Sequence, residues 1–363
     1  MILHLLFDSQ FTDYVIEQFS NPEMKSNFML VSPTREMRFF HHLDDVKLVN
    51  PREESEMQNL IEDIANYKTV IFHGFFEPWQ AWLLNHWPEN VKIAWVCWGG
   101  EIYGQPDIRT SFLKPLSKIA YLLHTNCRKQ ENKIFSKQIM CKANYCLTNL
   151  VPEYEFVKNY LGTNIKHLSY NYYTIDETLG SLRDCKVSGH NIFIGNSATI
   201  ENNFFEIFWQ LKRVGIESRN IIVPMSYGDS WVRNIIMRVG KKLFSDRFAP
   251  LVEFMPREEY NKTMLDCAVM IQPHMREQAH GNIVTGIWLG MRVYLSEKGI
   301  DYKHFKSIGC KVYSIERDLR RSNPNVFEPM IEEDVAYNRQ ILLSVYGRDH
   351  IDAENRKLVK ELS

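Results

Sequence analysis

The sequence predicts two α/β domains in tandem, each a doubly wound parallel sheet with helices on both faces. Three observations lead there. At 363 residues the chain is longer than one ordinary core accommodates and suits two domains. Short apolar runs alternate with segments of helical period, the pattern of parallel strands joined by crossover helices. A polar, irregular stretch over residues 176–189, with Gly180 and Gly189, interrupts that alternation, which then restarts. The expected division is 1–178 and 179–347, with the last helix, 348–363, packing back on the first domain.

Composition narrows the class. A hydrophobic content of 45% with 24% charged residues belongs to a folded soluble chain, and a net charge of −1 offers no global field to nucleic acid. The 7 cysteines are odd in number and no pair has C-x-x-C spacing, so neither a disulfide framework nor a zinc site is indicated. They read as small core residues of a cytoplasmic protein. Residues 1–7 are apolar but meet Asp8 without a basic lead, so they read as a first strand rather than a signal peptide. No run approaches the ~20 apolar residues that span a bilayer.

In the first domain, strands are expected at 2–7, 28–31, 46–49, 69–72, 91–97 and 145–148. Helices are expected at 12–19, 53–67, 78–86 and 152–161. The helix at 53–67 carries Met57, Leu60, Ile61 and Ile64 as an apolar stripe at helical spacing. Ligands of such sheets sit at the carboxyl ends of strands. Two strands deliver His73-Gly74 and Gly99-Gly100-Glu101 to that edge. His73 and Glu101 are therefore candidate general bases for an acceptor hydroxyl, beside plainer roles as a core histidine and a solvated loop charge.

Residues 109–143 differ from the rest. They carry Arg109, Lys114, Lys118, Arg128, Lys129, Lys133, Lys137 and Lys142 against the single acid Glu131, interleaved with apolar residues from Phe112 to Leu123. Such a basic amphipathic segment suits an anionic membrane surface, with Lys114, Lys118, Arg128 and Lys129 as contacts. The alternative is an exposed helix whose apolar side packs on its own domain.

In the second domain, strands are expected at 190–194, 219–223, 250–254, 268–272 and 292–295. Helices are expected at 200–214, 231–243, 257–267 and from about 281, with two more over 332–362 broken near Gly347. Three strand ends present polar loops: Gly195-Asn196-Ser197, Pro224 to Tyr227 with Ser226 between, and Arg276 to Asn282. Gly195 lets a backbone come close to a ligand, and Asn196 and Ser197 offer donors. Arg276 adds a planar fork for a phosphate. The helix opening near Gly281 turns free N–H groups and its dipole toward negative charge. No Asp-x-Asp pair sits at a strand end and no His/Asp/Glu cluster has ligand spacing, so no metal is expected. Neither the G-x-G-x-x-G fingerprint nor a P-loop is placed at these ends, so no cofactor is expected.

Two such domains with a pyrophosphate pocket in the second suggest the GT-B glycosyltransferase architecture, two Rossmann-like domains with an interdomain cleft. Five motifs then occur in order. They are Phe72-His73-Gly74, Trp98-Gly99-x-acid-x-Tyr103, Ile194-Gly195-Asn196-Ser197 with Asn202 beyond, Val223-Pro224-Met225-x-Tyr227, and Arg276-x-Gln278-x-x-Gly281. On these the chain resembles, from about Val70 to Leu295, the bacterial TDP-N-acetylfucosamine:lipid II N-acetylfucosaminyltransferases of glycosyltransferase family 56. The resemblance implies transfer of 4-acetamido-4,6-dideoxygalactose from a TDP-sugar to a polyprenyl-diphosphate-linked glycan. The setting it implies is the inner face of the bacterial cytoplasmic membrane, in surface polysaccharide synthesis of the enterobacterial common antigen kind. Donor contacts are then expected at Gly195, Asn196, Ser197, Asn202, Ser226, Tyr227, Arg276, Gln278, Gly281 and Asn282. Glu101 stands where the family pattern has Asp, and Ala279-His280 replaces a small and apolar pair. Another NDP-sugar for capsule or O-antigen stays open on that account, as do a GT-B-fold epimerase and a non-catalytic nucleotide-sugar-binding subunit.

Overall fold

The computed structural model describes residues 1–125 and 137–363, which divide into two compact units. The described residues of the first unit are 1–105, 137–174 and 346–363; those of the second are 106–125 and 175–345.

The first unit opens with β1 (Ile2–Leu6), α1 (Thr12–Phe19), β2 (Ser26–Val31), β3 (Lys47–Val49), α2 (Glu54–Ile64) and β4 (Thr69–His73). It continues through α3 (Pro78–Asn85), β5 (Lys92–Val96) and the single turn α4 (Gly100–Tyr103). The next helix, α5 (Pro115–Thr125), belongs to the second unit. The first unit resumes with α6 (Lys137–Met140), β6 (Tyr145–Leu147), α7 (Val151–Leu161) and β7 (Lys166–Leu168). Its seven strands are all parallel, in the order β3-β2-β1-β4-β5-β6-β7. The central strands β1 and β4 are buried at every residue. Helices cover both faces of such a sheet, so its strands are continuous apolar runs instead of alternating ones.

The second unit adds α8 (Ile175–Leu179), β8 (Asn191–Ile194), α9 (Phe204–Val214), β9 (Ile221–Pro224), α10 (Ser230–Phe244), β10 (Phe248–Leu251) and α11 (Arg257–Leu265). Then come β11 (Cys267–Gln272), α12 (His280–Leu289), β12 (Arg292–Leu295), α13 (Ile300–Ser307), β13 (Tyr313–Ser314) and α14 (Glu332–Tyr346). Six parallel strands lie in the order β10-β9-β8-β11-β12-β13. The last helix, α15 (Arg348–Leu362), sits on the first unit. Leu358, Val359 and Leu362 join that core, and Thr69 Oγ1 donates to the Leu362 carbonyl at 2.8 Å.

Several elements depart from expectation for physical reasons. The helix expected from 200 begins at Phe204, because Asn203 takes a left-handed conformation (φ +47°). Its amide donates to the carbonyls of Glu201, Phe112 and Pro273, which holds the break. The strand expected at 250–254 lies at Phe248–Leu251, since Phe248 enters the core and Phe254 is 89% exposed. The short strands β7 and β13 and the polar helix α13 leave no periodic signal to read. The expected linker at 176–189 begins inside α8.

Residues 106–125 pack with the second unit, whereas the expected division at 178/179 placed them in the first. Leu113 is buried in the second core. Glu206 of α9 accepts from the backbone N–H groups of Leu116 and Ser117 at 2.7 and 3.0 Å, satisfying donors that a helix start leaves open.

Candidate functional site

In the second unit the three expected loops converge at the carboxyl edge of β8, β9 and β11. Gly195 follows β8 with φ +66°, and a Cβ there would stand 2.9 Å from the Phe204 ring and 3.0 Å from Asn202 Oδ1. Only glycine fits that turn. Next to it Asn196 donates from Nδ2 to the Tyr227 hydroxyl at 3.1 Å, linking the β8 and β9 loops. Gln278 donates from Nε2 to Asn196 Oδ1 at 2.6 Å and to Thr199 Oγ1 at 3.1 Å, linking the β8 and β11 loops. Asn202 closes the ring from below, donating to the Ser197 carbonyl at 2.9 Å and to Thr199 Oγ1 at 3.0 Å.

This network leaves acceptors over. Asn202 Oδ1, Gln272 Oε1 and Gln278 Oε1 are buried and make no hydrogen bond, on side chains no more than 6% exposed. Each orphaned buried oxygen costs roughly 1–3 kcal/mol, so a ligand bringing N–H or O–H groups is the natural remedy. Beside them α12 begins at His280 after Ala279, a non-glycine residue held left-handed at φ +58°. Gly281 in its first turn needs no glycine for the fold, since a Cβ would meet only Thr178 Cγ2 at 3.9 Å.

Arg276 is half-buried, donates from Nη1 to the Glu277 carbonyl at 2.9 Å, and its charge favours the Tyr227 phenolate against the burial that raises that phenol. Asn282 donates to the Tyr260 hydroxyl at 2.8 Å. The Ser226 carbonyl accepts from Arg233 at 3.2 Å.

The signal for Thr199 and Gln272 was weak. Thr199 sits among other polar residues, and Gln272 is a lone polar residue closing an apolar strand. Below the loop, Asp301 Oδ2 lies 3.5 Å from His274 Nδ1 and its Oδ1 lies 3.3 Å from His280 Nδ1, so the loop is pinned from α13. Burial lowers the His274 pKa while Asp301 opposes it. His280 faces Asp301 and stacks on Phe305 at 5.2 Å, a supporting position.

In the first unit, His73 is 3% exposed, with Nε2 3.1 Å from His4 Nδ1 and Nδ1 2.9 Å from the Tyr172 hydroxyl. Burial, then the neighbouring His4, lowers its pKa well below the ordinary value. Both ring nitrogens are engaged by these neighbours. Glu101 is also 3% exposed, and burial lifts its pKa to about 7. Its Oε1 accepts from Trp95 Nε1 at 2.9 Å and from the Trp98 backbone at 3.1 Å, holding the turn after β5. Burial therefore leaves neither expected base open to solvent. A cavity of about 620 Å³ lies instead beside Asp8, Ser32, Arg52, Glu77 and the indoles of Trp79 and Trp82, following β1, β2, β3 and the start of α3.

Against known proteins, the model of the family described as 4-alpha-L-fucosyltransferase, glycosyl transferase group 56, matches residues 6–322. The chain belongs to glycosyltransferase family 56. No curated protein matches it. Its fold is that of GT-B glycosyltransferases. It is similar to trehalose 6-phosphate synthase from Burkholderia multivorans (TM-score 0.61, 10% identity, 99% of this chain and 95% of that one). It is also similar to AviGT4, a glycosyltransferase of avilamycin A biosynthesis (TM-score 0.55, 9% identity, 100% and 97%). A third is HepE from Anabaena, in complex with UDP and glucose (TM-score 0.55, 9% identity, 99% and 95%).

This family 56 transferase places its expected membrane lysines unevenly. Lys114 Nζ pairs with Glu316 Oε1 at 2.9 Å, and its side chain is 17% exposed. Lys118 is exposed. Arg128 and Lys129 lie outside the described residues.

Proposed function

We propose that this transferase moves 4-acetamido-4,6-dideoxygalactose from a TDP-sugar to a polyprenyl-diphosphate-linked glycan at the inner face of the bacterial cytoplasmic membrane. The observation that carries the donor half is the convergence of three strand-end loops on buried amides with unspent acceptor oxygens, beside a helix start. The imide N–H of a pyrimidine base and the hydroxyls of ribose or sugar are the donors such oxygens call for. The diphosphate belongs at the first turn of α12 with Arg276 next to it, where N–H groups, helix dipole and guanidinium all favour negative charge. HepE holding UDP and glucose on a similar fold supports a nucleotide-sugar donor. The acceptor sugar is assigned to the first unit's cavity, where Trp79 and Trp82 offer ring faces and Arg52 and Glu77 polar handles.

In the reaction an acceptor hydroxyl oxygen bonds to the anomeric carbon as the bond from that carbon to the diphosphate oxygen breaks. TDP departs with the electron pair and the hydroxyl proton leaves to a base. Arg276 and the α12 N–H groups act on the leaving group, where charge develops. The test is a thermal-shift screen of TDP-, UDP- and GDP-sugars followed by turnover on a polyprenyl-linked acceptor. TDP-sugar is expected to stabilise most, and Arg276→Ala to lose both stabilisation and turnover. Equal response of the Arg276→Ala protein would remove that residue from the site, and silence toward every nucleotide-sugar would overturn the reading.

A further inference from the structure

We propose that the second unit docks on an anionic lipid bilayer through the outer face of α5 and α9. The inference deepens the reading above, on which it rests for a membrane-bound acceptor.

The helix α5 packs one side on the second core and carries a second apolar stripe whose residues are largely exposed. Inward, Ser117 is buried against Glu206, Ala120 and Tyr121 pack on the second core, and His124 stacks on Trp231 with centroids 4.0 Å apart. Outward, Leu116, Ile119 and Leu123 are 48%, 56% and 67% exposed, at spacings of three and four that align them on one stripe. A helix that only packs on its own domain turns polar residues to water. This one turns leucine and isoleucine, with Lys118 among them.

The neighbouring helix continues the surface. α9 packs against α5, and one turn beyond Glu206 it carries Trp209, 58% exposed, with Arg213 exposed a further turn on. α10 packs against α9 on the same side of the sheet, because β8, β9 and β10 succeed one another in one direction. Its exposed cations are Arg238, Lys241 and Lys242. Across α5, α9 and α10 the one acid is Glu206, and it is consumed in holding the start of α5. Aliphatic residues to enter the acyl boundary, an indole for the headgroup level and surplus positive charge are what an anionic bilayer selects. No described helix is long and apolar enough to cross a membrane. The contact is therefore one of lying on the surface. Charge complementarity favours lipid over an apolar protein partner, which would have no use for the cations.

The test is flotation with vesicles of phosphatidylcholine alone and of phosphatidylcholine with phosphatidylglycerol. Wild type is expected to float with the mixed vesicles and weakly with the neutral ones. Ile119→Glu with Leu123→Glu should cut partitioning at least about tenfold, and vesicles should shift the Trp fluorescence of wild type to the blue but not that of Trp209→Phe. An unchanged melting temperature and an unchanged TDP-sugar shift show that the double variant is folded. Equal flotation of the double variant, or no flotation of wild type, would overturn the proposal. Transfer to a detergent-dispersed short-chain acceptor separates it from the reading it rests on. A wild type that transfers there but never floats sinks the docking surface alone, and one that floats but transfers nothing sinks the assigned reaction alone.

Discussion

Replacing Gly281 by alanine separates what the fold requires from what the donor requires. Gly281 is the second residue of α12, and the methyl of an alanine would meet only Thr178 Cγ2, at an ordinary 3.9 Å. For the empty protein the change removes the backbone freedom of glycine from the unfolded chain, worth about 0.5–1 kcal/mol. In a unit of about 200 residues that raises the melting temperature by roughly 1–4 °C. For the donor the change is unfavourable. On the proposed placement a phosphate oxygen comes within about 2.9 Å of the α12 N–H groups, and an added methyl beside them is expected to hinder that approach. Losing one such hydrogen bond costs about 1–1.5 kcal/mol, or roughly 5–12-fold in affinity. Scanning fluorimetry of the empty protein and calorimetric titration with TDP read the two effects separately. A variant that melts higher yet binds TDP as wild type does would refute the placement of the diphosphate. One that melts lower would refute the account of Gly281 itself.

Two further predictions concern the frame of the sites. Gly195→Ala puts a Cβ 2.9 Å from the Phe204 ring in a left-handed turn, so it should cost about 1–3 kcal/mol and lower the melting temperature, whereas an unchanged melt would show the turn is not as drawn. Glu101 is held in its neutral form by burial, its pKa raised from 4.5 to about 7. Stability from this group is therefore fully present below pH 4.5 and lost as pH rises through about 7, to a total of about 3 kcal/mol. Glu101→Gln keeps the acceptor for Trp95 and Trp98 but does not ionise, so it should exceed wild type in urea stability at pH 8 and not at pH 4.5. An equal difference at both values would contradict the burial argument.

Much of the architecture was legible in the chain because it is local. Buried parallel strands such as Thr69–His73 and Cys267–Gln272 are apolar at nearly every position, and Met57, Leu60 and Ile64 mark a helix by spacing alone. The meeting of the three strand-end loops was legible for a related reason. In a doubly wound sheet every strand ends on the same edge, so polar residues after β8, β9 and β11 had to meet. What the tertiary structure alone decided depends on partners far along the chain. The partners of the His73 ring, His4 and Tyr172, lie 69 and 99 residues away. The ion-pair partner of Lys114, Glu316, lies 202 residues on. The segment at 106–125 reads as part of the first domain until Asn203 and Glu206 hold it on the second. Local periodicity records which residues leave water, but which distant group satisfies a buried charge or an open helix end is settled only when the chain has closed on itself.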